Sequence, residues 1–166
     1  MRILKGKVHK FGNSINTDYI IASKHKVKTL DIDEMSKHLM EDVSPNFYSK
    51  IKKGDFIVAG ANFGCGSSRE AAPLVIKAAG IGAVLALSFA RIFFRNGINI
   101  GLPLLECDTE SINDGDTLSI DLSENLVLDE TNNRSLQIKP LPRIMVEILA
   151  NGGLEAYLKK NKRFKL

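Results

Sequence analysis

The stretch from Gly60 to Pro73, GANFGCGSSREAAP, decides how this chain is read. Ahead of it lies Asp55-Phe56-Ile57-Val58-Ala59, an apolar run between Gly54 and Gly60 that fits a buried strand. Behind it Ala71, Ala72, Leu74, Val75, Ala78 and Ala79 recur at helical spacing. Gly60, Gly64, Gly66, Ser67, Ser68 and Arg69 therefore join a strand to a helix. Glycine permits close backbone approach, and a helix start offers unpaired N–H groups and the positive end of the dipole. Such a turn suits an anion, and the fork of Arg69 suits a carboxylate. A tight turn with no ligand is the competing reading of the glycines alone. Two familiar alternatives fail on spelling. A P-loop ends in Gly-Lys-Ser/Thr, whereas Gly66-Ser67-Ser68 has no lysine. A hydrolase elbow needs glycine two residues after its serine, and Arg69 stands there.

Composition sets the outer bounds. A chain of 166 residues is long enough for one domain with a hydrophobic core. Its 44% hydrophobic and 25% charged residues are those of an ordinary globular protein, which excludes a disordered or collagen-like chain. No apolar run reaches membrane-helix length, and the start, Met1-Arg2-Ile3-Leu4-Lys5, has no secretory apolar core. Cys65 and Cys107 form neither a disulfide framework nor a metal-binding spacing. A cytoplasmic location is expected, with no membrane contact. The net charge is +4. Lys24, Lys26 and Lys28 cluster early, and Lys159, Lys160, Lys162, Arg163 and Lys165 crowd the C-terminal end, where cations suit a helix dipole. Basic residues without interleaved aromatics argue against nucleic-acid binding.

Along the chain, residues 2–9 read as a first strand and Phe11-Gly12-Asn13-Ser14 as a turn. Asp18, ahead of Tyr19-Ile20-Ile21, fits a backbone cap or turn. Ala22 to Leu30 reads as a polar, basic loop that includes His25, with a second possible use as a lid bringing cations to an anionic ligand. A helix is expected over Asp31–Glu41, with Asp31 as N-cap, Glu34 as its capping-box partner and His38 on the surface. Beyond the central turn, Ala83-Val84-Leu85-Ala86-Leu87 is a fully apolar strand. Ser88 is expected to cap a helix over 89–96 that stops near Gly97, and Leu104-Leu105 marks another strand. Short segments at 117–122, 126–128 and 136–138 read as a β-meander, and helices follow from Pro142 and from Leu154. This β-α-β-α-β order predicts an α/β fold with a parallel or mixed sheet.

Several of these stretches together resemble a known family, the small subunits of the aconitase-like dehydratases, which include 3-isopropylmalate dehydratase and homoaconitase. They are Asn16-Thr17-Asp18 with Ile20-Ile21, the run Gly54–Gly60, and Asn62-Phe63-Gly64-Cys65-Gly66-Ser67-Ser68-Arg69-Glu70. Ser88-Phe89-Ala90-Arg91-Ile92-Phe93-Phe94-Arg95-Asn96, Gly101-Leu102-Pro103 and Gly152-Gly153-Leu154 follow in the same order. The resemblance implies a swivelling β/β/α domain, like the mobile fourth domain of aconitase, spanning 1–166 as a single α/β domain. It also implies a larger partner subunit whose cysteines hold a [4Fe–4S] cluster that binds the substrate hydroxyl and carboxylate. No metal or cofactor is then expected on this chain.

Residue by residue, Ser67 matches the family serine that removes a proton from the carbon beside a carboxylate. Ser68 and Arg69 match residues that bind a substrate carboxylate, and Asp18 matches an active-site aspartate, against the turn reading given above. Gly64, Gly66, Arg91 and Asn96 are expected to shape the site, the last two near the sheet edge. The segment matching the family's substrate selector reads His25-Lys26-Val27-Lys28-Thr29 here, unlike the tyrosine-containing runs of relatives. Lys26 and Lys28 suit a third carboxylate, as in a homocitrate-like substrate, and Val27 suits an isopropyl or methyl group. The leading expectation is a hydro-lyase subunit for 3-isopropylmalate in leucine biosynthesis. Homoaconitase and 2,3-dimethylmalate dehydratase subunits are alternatives within the family. A non-catalytic carboxylate- or phosphate-binding module is the alternative outside it, separable because such a module does not need the Ser67 hydroxyl.

Overall fold

The computed structural model describes residues 3–164. Arg2 and Lys165, assigned above to the first strand and the basic tail, lie outside them. The chain begins with β1 (Ile3–Lys10), followed by four short helices: α1 (Thr17–Ile20), α2 (Ser23–Lys28), α3 (Ile32–Ser36) and α4 (Phe47–Lys50). Then come β2 (Phe56–Val58), α5 (Ala71–Ala78), β3 (Ala83–Ala86), α6 (Arg91–Asn99) and β4 (Leu104–Glu106). The meander is β5 (Thr117–Asp121), β6 (Leu126–Asp129) and β7 (Arg134–Gln137), and α7 (Arg143–Ala150) and α8 (Leu154–Asn161) follow.

All seven strands form one mixed sheet in the order β4-β3-β2-β1-β5-β6-β7. The half from β4 to β1 is parallel, and β1 turns its other side to β5, antiparallel, with Leu4 opposite Ile120 and Gly6 opposite Leu118. The sheet curls until its ends meet, since Cys107 bridges Ile138 and the Lys139 N–H donates to the Glu106 carbonyl at 2.8 Å.

Strand alternation explains why two cores share one sheet. In β2, β3 and β4, Ile57, Val84 and Leu104 face one way with Ala59 and Ala86, into a core completed by Val75 and Ile76 of α5 and Phe93 and Ile98 of α6. Their neighbours Phe56, Val58, Ala83, Leu85 and Leu105 face the other way, against Leu118, Ile120 and Val127 of the meander. The parallel strands are thus covered on both faces, which is why they read as unbroken apolar runs. Each large side chain buried this way contributes roughly 1.5–3 kcal/mol relative to exposure.

Several local expectations are corrected. The basic segment is not a loop but the helix α2, with His25 buried on it. The helix begun by Asp31 ends at Ser36 and gives way to turns, in which Met40 takes φ +56°. Asp31 does cap it, accepting from the N–H groups of Asp33 and Glu34, but its own N–H donates to Thr29 Oγ1 while Glu34 pairs with Lys37. Ser88 caps no helix; its Oγ accepts from the Asn62 N–H at 2.8 Å, and α6 begins after Ala90. Gly97 does not stop α6. It lies within the helix, and glycine is needed there because a Cβ would come 2.5 Å from Leu104 Cδ1.

Candidate active site

The carboxyl ends of parallel strands are where ligand sites gather in α/β sheets, and three adjacent ends meet here. Past β1 and β2 the backbone continues as a zipper. Phe11 N–H donates to the Val58 carbonyl, Ser14 to Ala61, Gly64 to Ile15 and Thr17 to Cys65, all at 2.8–2.9 Å. Past β3, the N–H groups of Phe63 and Ala90 donate to the carbonyls of Ser88 and Phe63, at 3.0 and 2.9 Å. The central turn is therefore held on one flank by residues 15–17 and on the other by the entry to α6.

Two glycines make that closure possible. Gly64 has φ +81°, and a Cβ on it would lie 2.2 Å from Phe93 Cγ, so only glycine lets the turn rest on α6. Gly66, at φ +91°, passes so close to Asn16 that a Cβ would sit 3.3 Å from the Asn16 Cβ. Thr17 Oγ1 then donates to the Ser67 carbonyl at 2.7 Å, which fixes the backbone of Ser67 and leaves the residue exposed.

Asp18 and Arg69 meet across this junction, with Arg69 Nη2 2.5 Å from Asp18 Oδ1. The same Nη2 donates to Ser23 Oγ at the start of α2, at 3.2 Å. Arg69 Nε is buried without a hydrogen-bond acceptor. Beside the pair lies a cleft of about 300 Å³ lined by Thr17, Gly64, Gly66, Ser68, Arg69 and the first turn of α6, Ala90 to Phe93, together with Asn96. The cleft is thus walled by the N-terminal turn of α6, whose first N–H groups have no intrahelical acceptor, and not by that of α5, which starts only at Ala71. Pro73 falls in the first turn of α5, where no donor is needed.

Asp18, Ser68, Arg69, Gly64, Gly66, Arg91 and Asn96 thus gather at one place, with Ser67 on the adjoining backbone. Arg91 and Asn96 belong to the cleft wall on α6, not to the sheet edge. Lys26, Val27 and Lys28 are exposed on α2 and do not line the cleft; Val27 and Leu30 are 87% and 85% exposed. Thr17, Ser23 and Ile92 were missed. Thr17 lies within a stretch that carries the family resemblance, but the role of Ser23 depends on a contact 46 residues away.

The residues do not fit an iron–sulfur cluster, which is held by several cysteine thiolates. The cysteines are Cys65 in the turn and Cys107 beyond β4, and burial, aided by the charge of Asp108, pushes the Cys107 thiol up to about 12. Among the described residues no helix is long and apolar enough to cross a membrane.

The chain belongs to the aconitase C-terminal domain family, whose model matches residues 3–110. It is 50% identical to the 3-isopropylmalate dehydratase small subunit 2 of Archaeoglobus fulgidus, over 97% of this chain and 98% of that one. It is 52% identical to the 3-isopropylmalate dehydratase small subunit of Endomicrobium trichonymphae, over 95% and 97% of the two chains. A crystal structure of 3-isopropylmalate dehydratase from Methanocaldococcus jannaschii superposes with a TM-score of 0.93 at 47% identity, covering 97% of this chain and 96% of that one. The α/β fold expected from the family resemblance is therefore the fold found.

Proposed function

We propose that this chain is the small subunit of a 3-isopropylmalate dehydratase, a hydro-lyase that isomerises its substrate by removing water and adding it back in the opposite sense. The observation that carries the reading is the Asp18–Arg69 pair set beside Ser67 and Ser68 at the joined carboxyl ends of β1 and β2. The identity of about 50% to small subunits of that enzyme, over nearly the whole chain, supports it.

In this reading Arg69 and Ser68 hold a substrate carboxylate. Because Asp18 occupies Nη2, an entering carboxylate competes with Asp18 for that donor, and the exchange keeps the guanidinium paired throughout. Ser67 takes the proton from the carbon next to the carboxylate and returns it in the hydration step. A serine hydroxyl is a poor base, so its alkoxide needs nearby N–H dipoles and the Arg69 charge. Cys65 alone in the turn is too few thiolates for a cluster; in this reading the [4Fe–4S] cluster is held by a large partner subunit, and the site is completed between two chains. Val27, exposed on α2 outside this chain's cleft, would meet the isopropyl group in the site completed by the partner, as Lys26 and Lys28 would meet a third carboxylate in the homocitrate alternative.

The test is reconstitution with a cluster-loaded large subunit under anaerobic conditions, followed by turnover of 3-isopropylmalate, homocitrate and 2,3-dimethylmalate. Turnover of 3-isopropylmalate by the pair, and by neither chain alone, is expected. Activity of this chain alone, or no turnover of 3-isopropylmalate by the pair, refutes the reading.

A further inference from the structure

A second constellation sits on α2, outside the cleft. The ring of His25 is 6% exposed, and its Nε2 closely contacts Glu41 Oε1. His38 Nδ1 lies 2.8 Å from the other carboxylate oxygen, Oε2. The two imidazoles stack face to face, with centroids 3.8 Å apart and planes within 10°. Lys24 Nζ stands 3.9 Å from Glu41 Oε1 and 4.0 Å from Asp42 Oδ1. His38 lies at the surface as expected, with 43% of its side chain exposed, and its ring also stacks on that of His25.

His25, His38 and Glu41 converge as metal ligands do, but the stack argues against one shared ion. A metal bound to imidazole lies along the nitrogen lone pair, in the plane of the ring, and two parallel planes have no common point. As hydrogen-bonding groups the three fit together: one ring nitrogen of each histidine meets one oxygen of a single carboxylate. Burial works to raise the Glu41 carboxyl, but the bonds from His38 and His25 outweigh it and hold it below the usual range.

This cluster is attached to the cleft through α2. Ser23, which meets Arg69, lies on the same short helix as His25. Six residues with no side-chain cap at the N-terminus do not make a self-sufficient helix, so α2 depends on these anchors. One proton on the cluster strengthens it, giving an imidazolium beside Glu41. A second places two cations face to face against the same carboxylate. Lys24, Glu41 and Asp42 together carry one net negative charge, and the five groups carry one net positive charge when both rings are protonated.

We propose that His25 and His38 are positioning residues that form a proton-operated latch on α2: closed while at most one ring is charged, open when both are, its opening withdrawing Ser23 from Arg69 and weakening the carboxylate grip. The last step rests on the role given to Arg69 above; the latch itself does not.

Amide hydrogen exchange of the full chain, corrected for intrinsic rates, tests it between about pH 8 and about pH 5.5, the span over which imidazoles take up protons. Residues 23–28 are expected to lose protection by about tenfold as the local opening of α2 becomes easier. The double variant His25→Gln/His38→Asn keeps an N–H donor near each position without titrating, and its protection should stay flat. His38→Asn alone should show no acid loss of protection, and a gain where the remaining ring takes up its proton beside Glu41, because a single ring meets no second charge. Undiminished protection in the native chain, or an equal loss in the variants, overturns the latch, as does protection that rises with added Zn²⁺ and falls with chelator. In the reconstituted enzyme KM should rise over the same interval for the native chain only, with kcat unmoved. A flat native KM alongside acid-loosened exchange refutes the link to Arg69, whereas absence of any turnover refutes the proposed function and leaves the exchange result standing.

Discussion

Replacing Gly64 by alanine tests the closure of the central turn without depending on any functional assignment. Gly64 has φ +81°, and the new Cβ would meet Cγ, Cβ and Cδ2 of Phe93 at 2.2, 2.6 and 2.6 Å. Phe93 cannot easily yield: it is 3% exposed and packed edge-on against Phe63 with centroids 5.3 Å apart. The left-handed backbone costs a residue with a Cβ about 1–2 kcal/mol. Forcing a methyl group into a filled core costs about 1–3 kcal/mol more. For a chain of this length each kcal/mol moves Tm by about 2–4 °C, so a fall of about 10 °C is expected. Gly12→Ala makes the same chemical change where a Cβ would find no atom within 4 Å and φ is not left-handed. There the reduced freedom of the unfolded chain predicts anything from no change to a gain of about 1 kcal/mol. Thermal and urea unfolding of both variants by circular dichroism decides the matter, since the chain has no tryptophan to report by fluorescence. A loss of less than about 1 kcal/mol in Gly64→Ala would show that the turn does not rest on α6 as described.

In the reconstituted enzyme, Ser67→Ala should lower kcat and kcat/KM together by orders of magnitude with substrate affinity kept, as expected for a group acting only in the transition state; near-normal turnover would remove the serine from the mechanism. Arg69→Lys retains charge but loses the planar fork, and should weaken direct substrate binding by about 1.5–3 kcal/mol, the worth of one charged hydrogen bond. Exchanging Val27 and its flanking lysines should shift the ratio of kcat/KM between 3-isopropylmalate and homocitrate more than the turnover of the better substrate; unchanged ratios would discharge α2 as the selector. Burial works to raise the Asp55 carboxyl, but bonds from the Lys52 N–H, His9 and the Lys7 N–H outweigh it and leave it below the usual range. Its stabilisation is therefore full above the ordinary aspartate value and lost as pH falls through the lowered one, so Asp55→Asn should flatten the acid limb of a stability–pH curve.

What could be read in advance tracks how local each signal is. The doubly buried strands β2 and β3 were legible because covering both faces leaves an unbroken apolar run. The meander was legible from turn residues such as Gly115 and Asn133, which take φ +85° and +51°. Ser88 and Gly97 were misread because each satisfies a partner distant in sequence, the Asn62 N–H and the Leu104 side chain, while looking like local punctuation. The basic segment hid a helix because its anchor is the contact of His25 with Glu41, which no periodicity over six residues reveals. At the site, the glycine turn could be found by its spelling. The pairing of Asp18 with Arg69 was not, since nothing in the first stretch shows that the zipper along residues 11–17 will carry it there.

β1 borders β2 on one side and β5 on the other, with Val8 opposite Phe56 and Ile3 opposite Asp121. Along the chain, β1 is therefore made long before its second neighbour, β5. A nascent chain that has emerged through Cys107 holds every strand of the parallel half, yet the flank of β1 is still bare backbone. Such a flank recruits strands from other chains, and pairing at this separation along the chain is slow to form. The meander thus acts as a guard on the parallel half, and a chain truncated ahead of Thr117 would be expected to aggregate before it lost its Asp18–Arg69 junction.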